Sequence, residues 1–198
     1  LEPVSRPIAV VNVASSSAPF LNRLSRDGRV IVTATRSGYE QNYARFGGFM
    51  AGAIANPEAD LDKDGQTSLL EAFLFASRQV EDWYRAETRL ATEHALIDDN
   101  GDGLGTPADW FRGVRPVKKA EEGGKVDGLR AHQWHLIRSE FESQLPAEIR
   151  ARRDELEMRI FQWRERKPSM EEDEYYRRLE ELLLEMAQFY RKHTRKEP

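Results

Sequence analysis

The sequence predicts an α/β front followed by a mostly α chain that ends in an antiparallel helical hairpin. Three observations carry this. Two β-branched runs, residues 8–14 and 30–34, flank a short segment whose apolar residues sit at helical spacing. From Asn42 onward apolar residues recur every three or four positions. Two acidic, glycine-containing loops, starting at Asp60 and Asp98, interrupt that pattern.

Composition bounds the function. The chain has 198 residues, 30 Lys+Arg against 34 Asp+Glu, a net charge of -4 and no cysteine. The near-neutral balance gives no bulk electrostatic grip on nucleic acid. No apolar run approaches the roughly 20 residues of a membrane span. Neither nucleic acid nor a membrane is therefore expected as a partner. The absence of cysteine excludes disulfides, thiolate zinc sites, iron–sulfur clusters and thiol catalysis. Because the chain starts at Leu1 rather than Met, it is expected to be a piece of a longer protein. Residues 143–198 carry 13 acids and 13 bases, a much denser charge than the front. Three segments are expected: 1–57, 58–128 and 129–198.

Each element follows in order. The continuous run Ile8-Ala9-Val10-Val11 suits a strand buried on both faces. Ser15-Ser16-Ser17-Ala18-Pro19 breaks it. Phe20, Leu21 and Leu24 fit a short helix that stops near Asp27-Gly28, and residues 30–34 form the second strand. Strand, helix, strand implies a parallel crossover. Two strands make no stable sheet, so the other strands are expected upstream or in a partner. Residues 42–55 place Phe46, Phe49, Met50 and Ile54 on a helical face, weakened by about 1 kcal/mol at each of Gly47 and Gly48. Residues 68–97 carry a stripe from Leu69 and Phe73 to Leu90 and Leu96, read as one helix or as two with a break at 85–88. Thr106-Pro107-Ala108-Asp109 is a helix start, predicting a short helix over 107–112. Residues 113–128, rich in Gly, Lys and Glu, read as an exposed loop. From Leu129 on, helix is predicted throughout. Trp134, Ile137, Phe141 and Leu145 lie on one face, and Ile149, Leu156, Ile160 and Trp163 continue it. Pro168 forces a stop. Ser169 and Glu172 form a capping-box pattern before a last helix over 170–193, striped by Tyr176, Leu179, Leu183, Met186 and Tyr190. A short turn between two such helices predicts a coiled-coil-like antiparallel hairpin, a possible surface for a protein partner.

The acidic loops carry the chemistry. Counting from Asp60, acids stand at positions 1, 3, 5 and 12 (Asp60, Asp62, Asp64, Glu71), with Gly65 at 6 and Ser68 at 9. Alternate side chains on a tight loop converge on one point, Gln66 at position 7 offers its backbone carbonyl, and Glu71 can give two oxygens. Such a donor set suits a hard divalent cation of calcium size better than magnesium, which demands tighter octahedral geometry. The second loop repeats the pattern with Asp98, Asn100, Asp102, Gly103, the Leu104 carbonyl, Thr106 and Asp109. It departs in two places. Asp109 is shorter than Glu, and Gly105 at position 8 lacks the apolar side chain that links paired loops. The Asp98 site is therefore expected to be the weaker of two calcium sites. These 24 residues resemble the EF-hand and dockerin calcium loops. With 4 methionines in the chain and only Met50 near the loops, the ion is expected to be structural rather than sensing. Millimolar calcium outside cells would fill even weak loops, so an extracytoplasmic setting is expected.

A second resemblance covers residues 7–55. The first strand run ends in Ser15-Ser16-Ser17-Ala18-Pro19. The second leads to Thr35-Arg36-Ser37-Gly38-Tyr39-Glu40, and Phe46-Gly47-Gly48-Phe49 follows. This is similar to the rear part of a caspase- or legumain-like peptidase domain, with Ser15 where the catalytic Cys stands in that family. The resemblance implies a partial parallel sheet and a degenerate, non-catalytic relative whose histidine would lie upstream. No catalytic residue is assigned, since no base for Ser15 is identifiable. The His132-x-x-His135 pair lacks two further zinc ligands in register. The leading expectation is a calcium-binding structural or interaction module of a larger protein; the alternative is a caspase-like hydrolase domain.

Overall fold

A computed structural model describes residues 6–119 and 125–193. The chain divides into two compact units, Leu1–Ser139 and Glu140–Pro198. It is an α/β protein, about half helical, with a mixed four-stranded sheet.

In the first unit, β1 (Ile8–Asn12) and β2 (Arg29–Thr33) run parallel, joined through α1 (Ala18–Leu24). Every residue of β2 is buried, and Val30, Ile31 and Val32 form the sheet's apolar centre. The strand expected to be buried on both faces, β1, instead lies at the edge and is half-buried. The further strands come from downstream within the chain. β4 (Leu96–Asp98) pairs antiparallel with β2, and β5 (Thr106–Pro107) with β4, giving the order β1-β2-β4-β5. The sheet is therefore mixed rather than parallel. Strands of two and three residues are too short to show alternation, which hid them in the sequence.

Against this sheet pack α2 (Phe46–Ala53) and α3 (Leu69–Ala86), with Phe46 and Phe73 meeting edge-on, ring centroids 6.2 Å apart. The start of α2 has no side-chain cap of its own. The buried Glu93 carboxylate accepts from Arg45 N at 2.8 and 2.9 Å and from Phe46 N at 3.0 Å. Negative charge at the positive end of a helix is favourable there. The stripe over 68–97 resolves into a single helix ending at Ala86. Leu90 beyond it is 90% exposed, and Leu96 belongs to β4.

Three expectations need correcting. The short helix over 107–112 is a three-residue turn, Ala108–Trp110, leading into the strand pair β6 (Phe111–Arg112) and β7 (Arg115–Pro116). Pairing of Pro107 with Leu96 holds residue 107 extended, at ψ 159, so the helix does not start there. The supposed loop 113–128 contains β7 and ends in the buried Asp127; its residues 120–124 lie outside the described residues. After α4 (Leu129–Gln133) the chain is not helical but forms β8 (His135–Ile137). That strand pairs with β3 (Thr67–Ser68), the last two residues before α3.

The second unit contains α5 (Glu140–Gln144), α6 (Ala147–Glu165) and α7 (Glu172–His193). Helices α6 and α7 run in opposite directions. Trp163 Nε1 donates to the Tyr175 carbonyl at 3.1 Å, while Arg152 and Arg159 reach Glu185 at 2.6 and 3.1 Å. Leu156, Ile160, Tyr175 and Leu182 are its buried apolar residues. The expected Ser169 capping box does not form, because the Ser169 hydroxyl donates to the Arg166 carbonyl within the turn Lys167–Ser169. Among the described residues no helix is long and apolar enough to cross a membrane.

Candidate metal centre

The first acidic loop closes on the start of α3. Lys63 and Gly65, positions 4 and 6, have φ of 64 and 79, the left-handed conformation that a turn this tight requires. The Asp60 carboxylate accepts from Asp64 N at 3.2 Å and Gly65 N at 3.0 Å, Asp62 from Asp64 N at 3.3 Å, and Asp64 from Gln66 N at 2.8 Å. Glu71, 1% exposed, turns back over the loop. Its Oε1 accepts from Leu61 N at 2.9 Å and Asp62 N at 3.4 Å. Its Oε2 accepts from Ser68 N and Ser68 Oγ, both at 2.8 Å. Ser68 and Glu71 thereby form the capping box of α3. One carboxylate oxygen from each of Asp60, Asp62 and Glu71 lies within 4.8 Å of the others. Burial raises the pKa of Asp62, and the Asp64 and Glu71 carboxylates push it further up. His132, on α4, sits beside this cluster: its Nε2 is 3.5 Å from Asp62 and its Nδ1 is 3.4 Å from Ser68 Oγ.

The second loop has the same internal wiring. Positions 4 and 6 are Gly101 and Gly103, at φ 80 and 78. Asp98 accepts from Gly103 N at 3.0 Å, Asn100 from Asp102 N at 2.8 Å, and Asp102 from Leu104 N at 2.8 Å. These three position-to-position bonds recur from the first loop; a fourth differs, since Asp98 also accepts from Gly101 N, position 4, at 2.9 Å where Asp60 accepts from Asp64 N, position 5.

The closing carboxylate differs. Asp109, at position 12, is exposed on the Ala108–Trp110 turn, and among the described residues it makes no hydrogen bond to the loop. Asp127 stands where Glu71 stands in the first loop. Its Oδ1 accepts from Asp99 N at 2.8 Å and Asn100 N at 3.2 Å, positions 2 and 3. Its Oδ2 accepts from the position-9 hydroxyl, Thr106 Oγ1, at 2.6 Å. The cause is the path of the chain after position 9. Loop one runs into α3, which carries position 12 back over the loop. Loop two runs into β5, which carries it away.

Sequence reasoning missed Asp127 because its neighbours are Gly-, Lys- and Glu-rich. The available signal was an Asp-Gly pair just ahead of the helical residues from Leu129. It also missed Asp99, whose carboxylate accepts from Gly128 N at 2.9 Å and Ala131 N at 2.8 Å at the start of α4. Asp98, Asp99 and Asp127 are 1%, 4% and 2% exposed. Burial pushes Asp127 up to about 8, with the Asp99 carboxylate adding to the push, and burial also raises Asp99.

Gly105 has a steric reason for being glycine. A Cβ there would lie 2.8 Å from both Leu21 Cδ1 and Leu96 Cβ. Gly105→Ala is expected to destabilise the fold by about 1–3 kcal/mol, read by urea unfolding, because the loop must move off the sheet. The loops do not meet through their strands, since β3 pairs with β8 and β5 with β4. Ser15 lies elsewhere, after β1, and its hydroxyl donates to the Asn42 carbonyl at 2.5 Å.

Comparison with protein-family models gave no match. Curated protein sequences gave none, and neither did solved structures.

Proposed function

We propose that the chain is a calcium-binding structural module. The first loop holds its cation through Asp60, Asp62, Asp64, the Gln66 carbonyl and Glu71. The second uses Asp98, Asn100, Asp102 and the Leu104 carbonyl, closed by Asp127 in place of Asp109. Ser68 and Thr106 orient the closing carboxylates. One observation supports this above the rest: two loops separated in sequence share one pattern of backbone conformation and hydrogen bonds, each finished by a buried carboxylate. A carboxylate-rich oxygen set of this kind matches a hard cation. Buried carboxylates are also costly unless paired or metal-bound.

The positions of the ligands favour a structural role. Glu71 lies in the first turn of α3, Asp98 ends β4, and Asp127 lies one residue before the Gly128 that opens α4. A bound ion would tie sheet to helices, and millimolar extracellular calcium would keep such loops filled. Titration calorimetry on the full chain is expected to count two calcium ions. Melting is expected to rise by about 5–15 °C between chelator and millimolar calcium. Equal melting temperatures in the two conditions would overturn the structural reading, and no heat of binding would overturn the calcium reading itself.

A further inference from the structure

Helix α7 presents more apolar surface than its own unit covers. Of its 22 residues only Tyr175 and Leu182 are buried. On an adjacent face Tyr176, Leu183, Leu184 and Tyr190 are 47%, 42%, 54% and 44% exposed, and Tyr176, Leu179, Leu183 and Leu184, with Glu180 among them, line a shallow groove. Tyr176, Leu183 and Tyr190 recur at seven-residue intervals, the spacing of a helix–helix seam.

We propose that this stripe pairs, antiparallel, with the same stripe of a second copy of the chain. Charge selects both the occupant and its direction. The first turn of α7 holds Glu172, Asp173 and Glu174, and the last turn holds Arg191, Lys192 and His193. An antiparallel pair sets each acidic end beside the other helix's basic end, whereas a parallel pair would set like charges together. Between the ends, Glu181 already pairs with Arg178, and Glu185 with Arg152 and Arg159, while Glu180 in the groove falls opposite Met186 of the other helix about an axis at Leu183 and not opposite its own copy, so these acids do not oppose contact at the centre. Tyr176 and Tyr190 lie equally far from Leu183. A two-fold axis near Leu183 therefore brings Tyr176 of each helix beside Tyr190 of the other and closes the pair as a dimer. This inference is independent of the calcium reading.

Sedimentation equilibrium of the full chain is expected to give twice the monomer mass at high protein concentration, with or without chelator. Leu183→Glu is expected to give a monomer with unchanged helical circular dichroism. Reversing the first turn, with Glu172→Lys, Asp173→Lys and Glu174→Lys together, is expected to abolish the dimer. Adding Arg191→Glu and Lys192→Glu to that variant is expected to restore it, which keeps the test decisive should Leu183→Glu lose helicity. In this cysteine-free chain, Tyr176→Cys and Tyr190→Cys variants are expected to cross-link when mixed, and neither alone. A wild-type chain that stays monomeric overturns the proposal, as does one that binds anionic vesicles through this face instead. Open-ended polymers, or efficient cross-linking of Tyr176→Cys by itself, overturn the antiparallel pair.

Discussion

Replacing Glu71 by Gln is expected to remove one of two calcium ions from the titration and to weaken the fold even in chelator. The side chain does two jobs. Its two oxygens take four donors, Leu61 N, Asp62 N, Ser68 N and Ser68 Oγ, and it reciprocates Ser68 in capping α3. Gln keeps the volume and the helix propensity but halves the acceptors, and it places an amide N–H against backbone donors, either Leu61 N and Asp62 N or Ser68 N, that have no lone pair to offer; only the Ser68 hydroxyl can turn to accept it. With the residue 1% exposed, no water can readily replace the lost partner. The expected loss is about 2–4 kcal/mol in unfolding free energy without calcium. For the first site, affinity is expected to fall by about a hundredfold or more, since the carboxylate that gives two oxygens and one full charge is gone. Unaltered stoichiometry and affinity in Glu71→Gln would remove the first loop from the proposal.

The contrast between the two loops also explains how far the sequence could be read. The turn of the first was legible because its carboxylates, Gly65 and Glu71 lie within one twelve-residue stretch that feeds directly into a helix. The opening strands and α1 were legible for the same reason: Val30 to Val32 and the Ser-Pro break after β1 are local signals. What stayed hidden was set by distance along the chain. β2 takes as its neighbour Leu96–Asp98, more than sixty residues on, and that choice draws Thr106 and Pro107 into the sheet. Once residue 107 is a strand, the helix predicted from its N-terminal Pro cannot form, and Asp109 is carried out of reach. The same holds after Leu129, where Trp134 and Ile137 fit a helical stripe but residues 135–137 are claimed by pairing with Thr67 and Ser68. In each case tertiary pairing overrode a local preference of the order of 1 kcal/mol.

Asp127→Asn and Asp109→Asn are expected to separate cleanly. Asp109→Asn alters an exposed turn residue that makes no bond to the loop among the described residues, so second-site affinity should stay within about twofold. Asp127→Asn removes the closing charge, and second-site affinity should fall by about a hundredfold or more while the first site is unchanged. The variant is also expected to fold. Burial and the neighbouring Asp99 carboxylate raise the pKa of Asp127, which favours its neutral form more than water would and makes a neutral Asn tolerable there before a cation binds. Asn keeps one acceptor for Asp99 N and Asn100 N, and its amide can donate to Thr106 Oγ1, which can turn its own proton elsewhere. Loss of calcium in a variant that melts within a few degrees of wild type in chelator therefore reports a ligand rather than a collapsed core. The reverse outcome, in which Asp109→Asn empties the second site and Asp127→Asn leaves it filled, would return position 12 to its conventional role. It would require the Ala108–Trp110 turn to rewind into a helix on binding, at the expense of the Leu96–Pro107 and Ile97–Thr106 pairing.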